Sequence, residues 1–169
     1  MSHDKFHRII LPLKDKLFRL AWSIVRDSAE AEDIVQDVFL KLWSKNNEWE
    51  NIENLEAYCF RATKNLALDR VESLSIRRTE NIAPELENGI FADHVTPFFK
   101  LVETERNTLI YRCINQLSES QKAVFQLREI EGMSYKEIAQ VLDISEDLVK
   151  VNLFRARNKL KELLSGKQE

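Results

Sequence analysis

Apolar residues recur at three- and four-residue steps along most of the chain, and no stretch alternates apolar with polar convincingly enough to read as a strand. Ile10, Leu13, Leu17, Leu20, Ala21, Ile24 and Val25 mark a first helix over about Phe6–Arg26. Pro12 lies inside that pattern. Without an N–H to donate, it predicts either a first-turn proline or a kink. Asp27-Ser28-Ala29-Glu30 is a start signal for a second helix, which reads to about Trp43. Ile34, Val38, Leu42 and Val35, Phe39, Trp43 form two adjacent i, i+4 rows on it, while Glu30, Glu32, Asp33 and Asp37 make the opposite face acidic. Ser44–Glu53 is polar around an isolated Trp49 and reads as a loop. Asn54 then caps a third helix from Leu55 to about Leu74, in which Tyr58, Phe60, Leu66, Leu68 and Val71 interleave with Arg61, Lys64, Asn65 and Arg70.

The pattern breaks after residue 76. Thr79–Phe99 holds Pro84, Gly89 and Pro97, four acids and no Lys or Arg, which predicts a flexible acidic linker and a domain boundary. A helix restarts near Lys100 and runs to Leu117. Beyond it, Ser118-Glu119-Ser120-Gln121 and Ser134-Tyr135-Lys136-Glu137 both have the capping-box form, a hydroxyl followed three residues later by an amide or carboxylate. Gly132 lies between them, where a helix end needs positive φ. Ser145 opens a last helix with Glu146 and Asp147 in its first turn. From Leu148 to Lys161 that helix carries Lys150, Arg155, Arg157, Lys159 and Lys161 and no acid. A short helix, a tight turn and a basic second helix are the parts that carry side chains into a DNA major groove. Leu148, Leu153 and Leu160 are expected to face the core.

The fold class that follows is all-α, with two small helical domains joined by an acidic tether. A hydrophobic content of 44% with 31% charged residues fits a globular chain rather than a disordered one. The net charge of −3 argues mildly against non-specific DNA affinity, but screening over roughly 8–10 Å makes local charge the better guide. No run of about 18 apolar residues predicts a membrane span, and Met1–Leu13 lacks a secretory pattern, so a cytoplasmic protein is expected. Cys59 and Cys113 sit far apart within apolar patterns and read as buried free thiols. His, Cys and acidic residues show no metal-ligand spacing, and no nucleophile triad or phosphate-cradling glycine loop is present. Neither cofactor, metal nor intrinsic enzymatic activity is expected.

Two signatures carry a family resemblance. Ala31-Glu32-Asp33-Ile34-Val35-Gln36-Asp37-Val38-Phe39-Leu40-Lys41-Leu42-Trp43 resembles the core-polymerase-binding helix of bacterial extracytoplasmic-function sigma factors of the sigma-70 family. Ala57-Tyr58-Cys59-Phe60-Arg61-Ala62-Thr63-Lys64-Asn65-Leu66-Ala67-Leu68-Asp69 is similar to the helix after that family's −10 reading loop. The segment from Leu117-Ser118 to Phe154-Arg155-Ala156-Arg157 resembles its −35-binding domain. Tyr58 stands where a Trp is common, Asp143 replaces the usual turn Gly, and Leu148, Val151 and Asn152 depart from the frequent Thr, Ser and Arg.

The resemblance implies a region 2 domain over 5–76, a linker over 77–99 and a region 4 domain over 100–165. Asp33, Gln36 and Asp37 would dock on a basic coiled coil of the polymerase β′ subunit, and region 4 on the β flap. Asn46, Asn47, Trp49, Arg61, Lys64, Asn65 and Arg70 would meet the −10 DNA, with Trp49 either stacked on a base or plugging the core. Lys150, Val151, Asn152, Phe154 and Arg155 would meet the −35 DNA, Asn152 at an adenine edge. For Phe154, contact and core both stay open. The implied partners are core RNA polymerase, promoter DNA and a membrane-associated anti-sigma factor. The alternative is a stand-alone helix-turn-helix regulator, which would have no use for the Ala31–Trp43 signature.

Overall fold

The computed structural model describes residues 2–80 and 105–166. The linker expected over 77–99 lies for the most part outside the described residues, as does the helix start expected near Lys100. The chain divides into two compact units, Met1–His94 and Val95–Glu169. Every described element is helical.

In the first unit a short α1 (Ser2–Lys5) leads into a π-helical turn at Phe6–Ile10 and a 3-10 turn at Leu11–Leu13 before α2 (Lys14–Val25). Pro12 occupies the first turn of the 3-10 segment. The amide missing at Pro12 breaks the regular ladder, so the apolar pattern from Phe6 is carried by three helix types in succession rather than one. Helix α2 ends on Arg26, a left-handed residue (φ 59°) whose N–H donates to the Trp22 carbonyl at 2.8 Å and whose guanidinium lies 4.8 Å from the Trp22 ring centre. Asp27 then caps α3 (Ser28–Ser44), its carboxylate accepting from the Glu30 N–H at 3.1 Å.

Asn54 caps α4 (Leu55–Glu80) in the same way, accepting from the Ala57 N–H at 3.0 Å. This helix continues to Glu80 instead of ending near Leu74, since no Gly or Pro stands before Pro84 to stop it. Helices α2, α3 and α4 pack on one another around Leu17, Leu20, Ile34, Val38, Leu42 and Phe60, all buried. The segment expected as a plain loop forms a 3-10 turn over Asn46–Asn51.

The second unit consists of α5 (Glu105–Asn115), α6 (Glu119–Phe125), a π-helical turn at Gln126–Ile130, α7 (Tyr135–Leu142) and α8 (Glu146–Leu164). Both capping boxes form with reciprocal bonds, at 3.3 and 3.4 Å for Ser118–Gln121 and at 3.1 and 3.4 Å for Ser134–Glu137. Gly132 takes φ 71° between them. Asp143 takes φ 56° in the turn between α7 and α8, the left-handed conformation that Asp tolerates better than most residues. Helix α8 is the spine of the unit, touching α5, α6 and α7 through Val149, Leu153, Ala156, Leu160 and Leu163.

Cys59 and Cys113 are buried free thiols. Burial pushes the Cys59 thiol from its ordinary 9.0 up to about 12, with the Glu56 carboxylate adding to the shift. Cys59 should therefore resist alkylation in the folded protein. Its contribution to stability is full below about pH 9 and drains away towards about pH 12, because the unfolded chain ionises first. Urea unfolding followed across that range should show the loss, and Cys59→Ala should flatten it.

Candidate polymerase and nucleic-acid surfaces

Burial of Ile34, Val35, Val38 and Leu42 turns the acidic side of α3 outward. Glu30, Asp33 and Asp37 follow at steps of three and four residues and so share one stripe. They converge on a single cation. Arg70, reaching over from α4, places Nη1 2.8 Å from Glu30 Oε2, and Nη2 2.7 Å from Asp33 Oδ2 and 2.8 Å from Asp37 Oδ2. The hydrogen bond to Asp33 is the main cause that raises the guanidinium pKa above its ordinary value. Gln36 is exposed beside them.

Arg70, expected to grip DNA phosphates, has a side chain 27% exposed and turned onto the α3 carboxylates. The periodicity of α4 marks a polar face, but it does not say which neighbouring helix that face meets.

Of the two readings open for Trp49, its surroundings match the plug. It is only 4% exposed, and its indole Nε1 donates to the Leu42 carbonyl at 2.9 Å. Its ring stacks on Phe6 at 6.3 Å between centres, and Phe6 in turn sits edge-on to Phe39 and Trp43. Trp49 is thus a plug that pins the 3-10 turn to α3 with its own N–H satisfied, and it offers no face to a base.

The turn it anchors leaves Asn46 half-buried and Asn47 exposed. On α4, Arg61 and Asn65 are exposed one turn apart, with Lys64 half-buried between them. A cavity of about 210 Å³ opens where the end of α3 meets α4, and Lys41, Lys45, Tyr58, Asn65 and Asp69 contribute to its lining. Of these, only Asn65 was legible as a site residue. Lys41 and Lys45 lie at the end of the acidic helix, and their meeting with Tyr58 is tertiary.

On α8 the core stripe again decides what faces outward. Lys150, Val151, Phe154 and Arg155 are exposed, Phe154 by 67%. Asn152, expected at an adenine edge, is 8% exposed, because it falls on the core stripe with Val149, Leu153 and Ala156. Leu148, expected in the core, is exposed on the outer side. Leu153 and Leu160 are buried as expected.

The Lys150 ammonium lies 5.9 Å from the centre of the Tyr135 ring and the Arg128 guanidinium 4.7 Å from it, while Arg128 Nη1 also donates to the Met133 carbonyl at 2.9 Å. Arg157 pairs with Glu129, donating through Nε at 2.7 Å and through Nη2. Sequence reading missed these ties, which join the π-helical turn to α7 and α8. They are cross-element contacts without a local signal.

The Sigma-70 region 2 family profile matches residues 9–76, and the Sigma-70, region 4 profile matches residues 107–160. The chain belongs to the sigma-70 family, in its extracytoplasmic-function branch. It is 27% identical over 171 residues to the ECF RNA polymerase sigma factor SigW of Bacillus subtilis, covering 96% of this chain and 90% of the relative. It is 25% identical over 165 residues to the RNA polymerase sigma-H factor of Pseudomonas aeruginosa, covering 94% and 86%. Among solved structures, the sigma factor RpoE of Bartonella quintana, bound to the anti-sigma factor NepR, is similar at TM-score 0.77 and 25% identity, covering 96% of this chain and 98% of that one. CnrH in complex with the cytosolic domain of CnrY shares the fold at TM-score 0.66 and 23% identity, covering 96% and 89%.

This sigma factor binds core RNA polymerase and directs promoter-specific initiation, and the stand-alone regulator is not favoured. No described helix is long and apolar enough to cross a membrane.

Truncating the plug should cost the first unit roughly 3–5 kcal/mol, the usual scale for a buried Trp→Ala. Chemical unfolding of Trp49→Ala should show that loss with no DNA present. A stability equal to wild type would mean that the ring is not core.

Proposed function

We propose that the two units divide the work of initiation along the surfaces just described. The outward stripe of α3 docks on a basic helix of core polymerase through Asp33 and Asp37, flanked by Gln36. Exposed Leu40 continues the stripe and adds apolar contact. Complementary charge sets orientation and encounter rate.

The 3-10 turn and the adjoining cavity receive −10 DNA. Asn46 and Asn47 sit at the rim of the turn, Tyr58 and Asn65 meet an unstacked base, and Arg61, Lys64, Lys41 and Lys45 hold phosphates. The single observation that carries this reading is the order of the chain: an acidic helix, a turn and a basic–aromatic helix in one unit, and a capped helix-turn-helix with a basic outer face in the other. A plain regulator has no use for the first of these.

On α8, Lys150 and Arg155 reach phosphate or guanine, while Leu148, Val151 and Phe154 present an apolar face suited to thymine methyl groups. The chain carries out no chemistry of its own and works in the cytoplasm. Its activity is held in check by an anti-sigma factor, a proposal supported by the NepR-bound relative, and the family resemblance implies that this partner sits at the membrane.

Transcription in vitro with core polymerase and a pool of promoter fragments tests the whole reading. Discrete transcripts that depend on this chain are expected, and their absence would refute it. Asp33→Asn and Asp37→Asn should each weaken core binding by about 1 kcal/mol, roughly fivefold, with the effect fading at high salt. Phe154→Ala should cost about 1–3 kcal/mol of −35 discrimination. Replacing −35 thymines with uracil, which removes only the methyl group, should reproduce part of that loss in the wild type and none in Phe154→Ala, as read by duplex binding.

A further inference from the structure

Three carboxylates along one helix stripe repel one another, and in isolation their side chains would spread over several rotamers. Here one guanidinium, delivered from a different helix, gathers all three within 2.7–2.8 Å. Each contact uses a single oxygen: Oε2 of Glu30, Oδ2 of Asp33 and Oδ2 of Asp37. The second oxygen of each carboxylate is left for another donor. Three carboxylates against one guanidinium leave two negative charges, so the patch stays attractive to a basic surface. The acids also remain reachable, with the side chains of Asp33 55% and Asp37 38% exposed.

We propose that Arg70 is a positioning residue for the polymerase-docking face: it fixes Asp33 and Asp37, with Glu30, in the arrangement that the basic partner meets. This rests on the docking role assigned above to the two aspartates. The physical content is preorganisation, since side chains already held need not be frozen when the complex forms. Arg70 touches neither DNA nor polymerase in this role and acts through the carboxylates.

The sign of the effect separates this role from simple charge. Removing a cation from an acidic face raises its negative charge, so charge alone predicts tighter binding to a basic partner. Loss of positioning predicts the reverse.

The experiment measures the affinity and dissociation rate of the full-length chain for core RNA polymerase, at a temperature where circular dichroism shows every variant folded. Arg70→Gln should weaken binding on the order of tenfold, mainly through faster dissociation, the scale of re-freezing two or three side chains. Arg70→Lys, which keeps the charge but not the fork, should recover part of that loss. In an Asp33→Asn, Asp37→Asn background, Arg70→Gln should have no further effect, the non-additivity expected of a shared network.

Unchanged or tighter binding by Arg70→Gln, while the aspartate variants weaken binding, overturns the positioning role and leaves the docking face standing. A full Arg70→Gln loss in the doubly substituted background overturns it too. Core affinity that is indifferent to the aspartate substitutions removes the docking reading and this proposal with it. If Arg70→Gln does not fold, Arg70→Lys against wild type and against the same background supplies the same comparison.

Discussion

Burial of Ile34, Val35, Val38 and Leu42 against α2 and α4 fixes the rotation of α3 about its own axis, and that rotation decides what the first unit offers to any partner. At 3.6 residues per turn, a helix that commits one stripe to a core has no freedom left in the direction of the others. Glu30, Asp33 and Asp37 point outward because the apolar rows point inward. Arg70 finds all three together for the same reason. Helix α8 obeys the same constraint: Val149, Leu153, Ala156, Leu160 and Leu163 are held by the core, so Lys150, Val151, Phe154 and Arg155 face out.

Such small units have little core with which to hold their functional helices, and local chemistry at the helix ends supplies much of the definition. Ser118, Ser134 and Ser145 each accept a backbone N–H at the start of a helix, as Asp27 and Asn54 do in the first unit. Left-handed residues at Arg26, Gly132 and Asp143 end the preceding turns. The pairs around the π-helical turn, Arg128 with Tyr135 and Arg157 with Glu129, then orient the elements of the helix-turn-helix against one another. Exposed pairs of this kind add little stability singly, and their contribution is direction.

The aromatic plug couples the 3-10 turn to α3 and to the N-terminal segment. Trp49 hydrogen-bonds the last turns of α3 and stacks on Phe6 from the N-terminal segment, so the 3-10 turn is anchored at its centre while Asn47 stays exposed. The turn proposed to meet DNA is therefore held by the same side chain that the N-terminal residues cover.

Much of this was legible in the residues themselves. Helix identity followed from apolar periodicity, helix starts from Ser, Asp and Asn at the caps, and the left-handed turn at Asp143 from its place in the helix-turn-helix. These signals are local, set by neighbours within about one turn of chain. The face on which a side chain acts was a tertiary matter. Arg70 reads as a basic residue on a basic helix until α3 lies beside it, and its partners stand 33 to 40 positions away in the chain. Trp49 reads as a loop aromatic until Leu42 and Phe6 close around it. Asn152 and Leu148 exchange the places their polarity suggests, because the position of a residue on the helix, and not its own hydrophobicity, decides which side of α8 meets the core. The sequence by itself determined that the chain is helical and, where Asp27, Asn54, Ser118, Ser134 or Ser145 caps a helix, where that helix begins. Only the packed structure decided which of their polar residues are free to meet a partner and which already have one, because that depends on contacts between elements far apart in the chain.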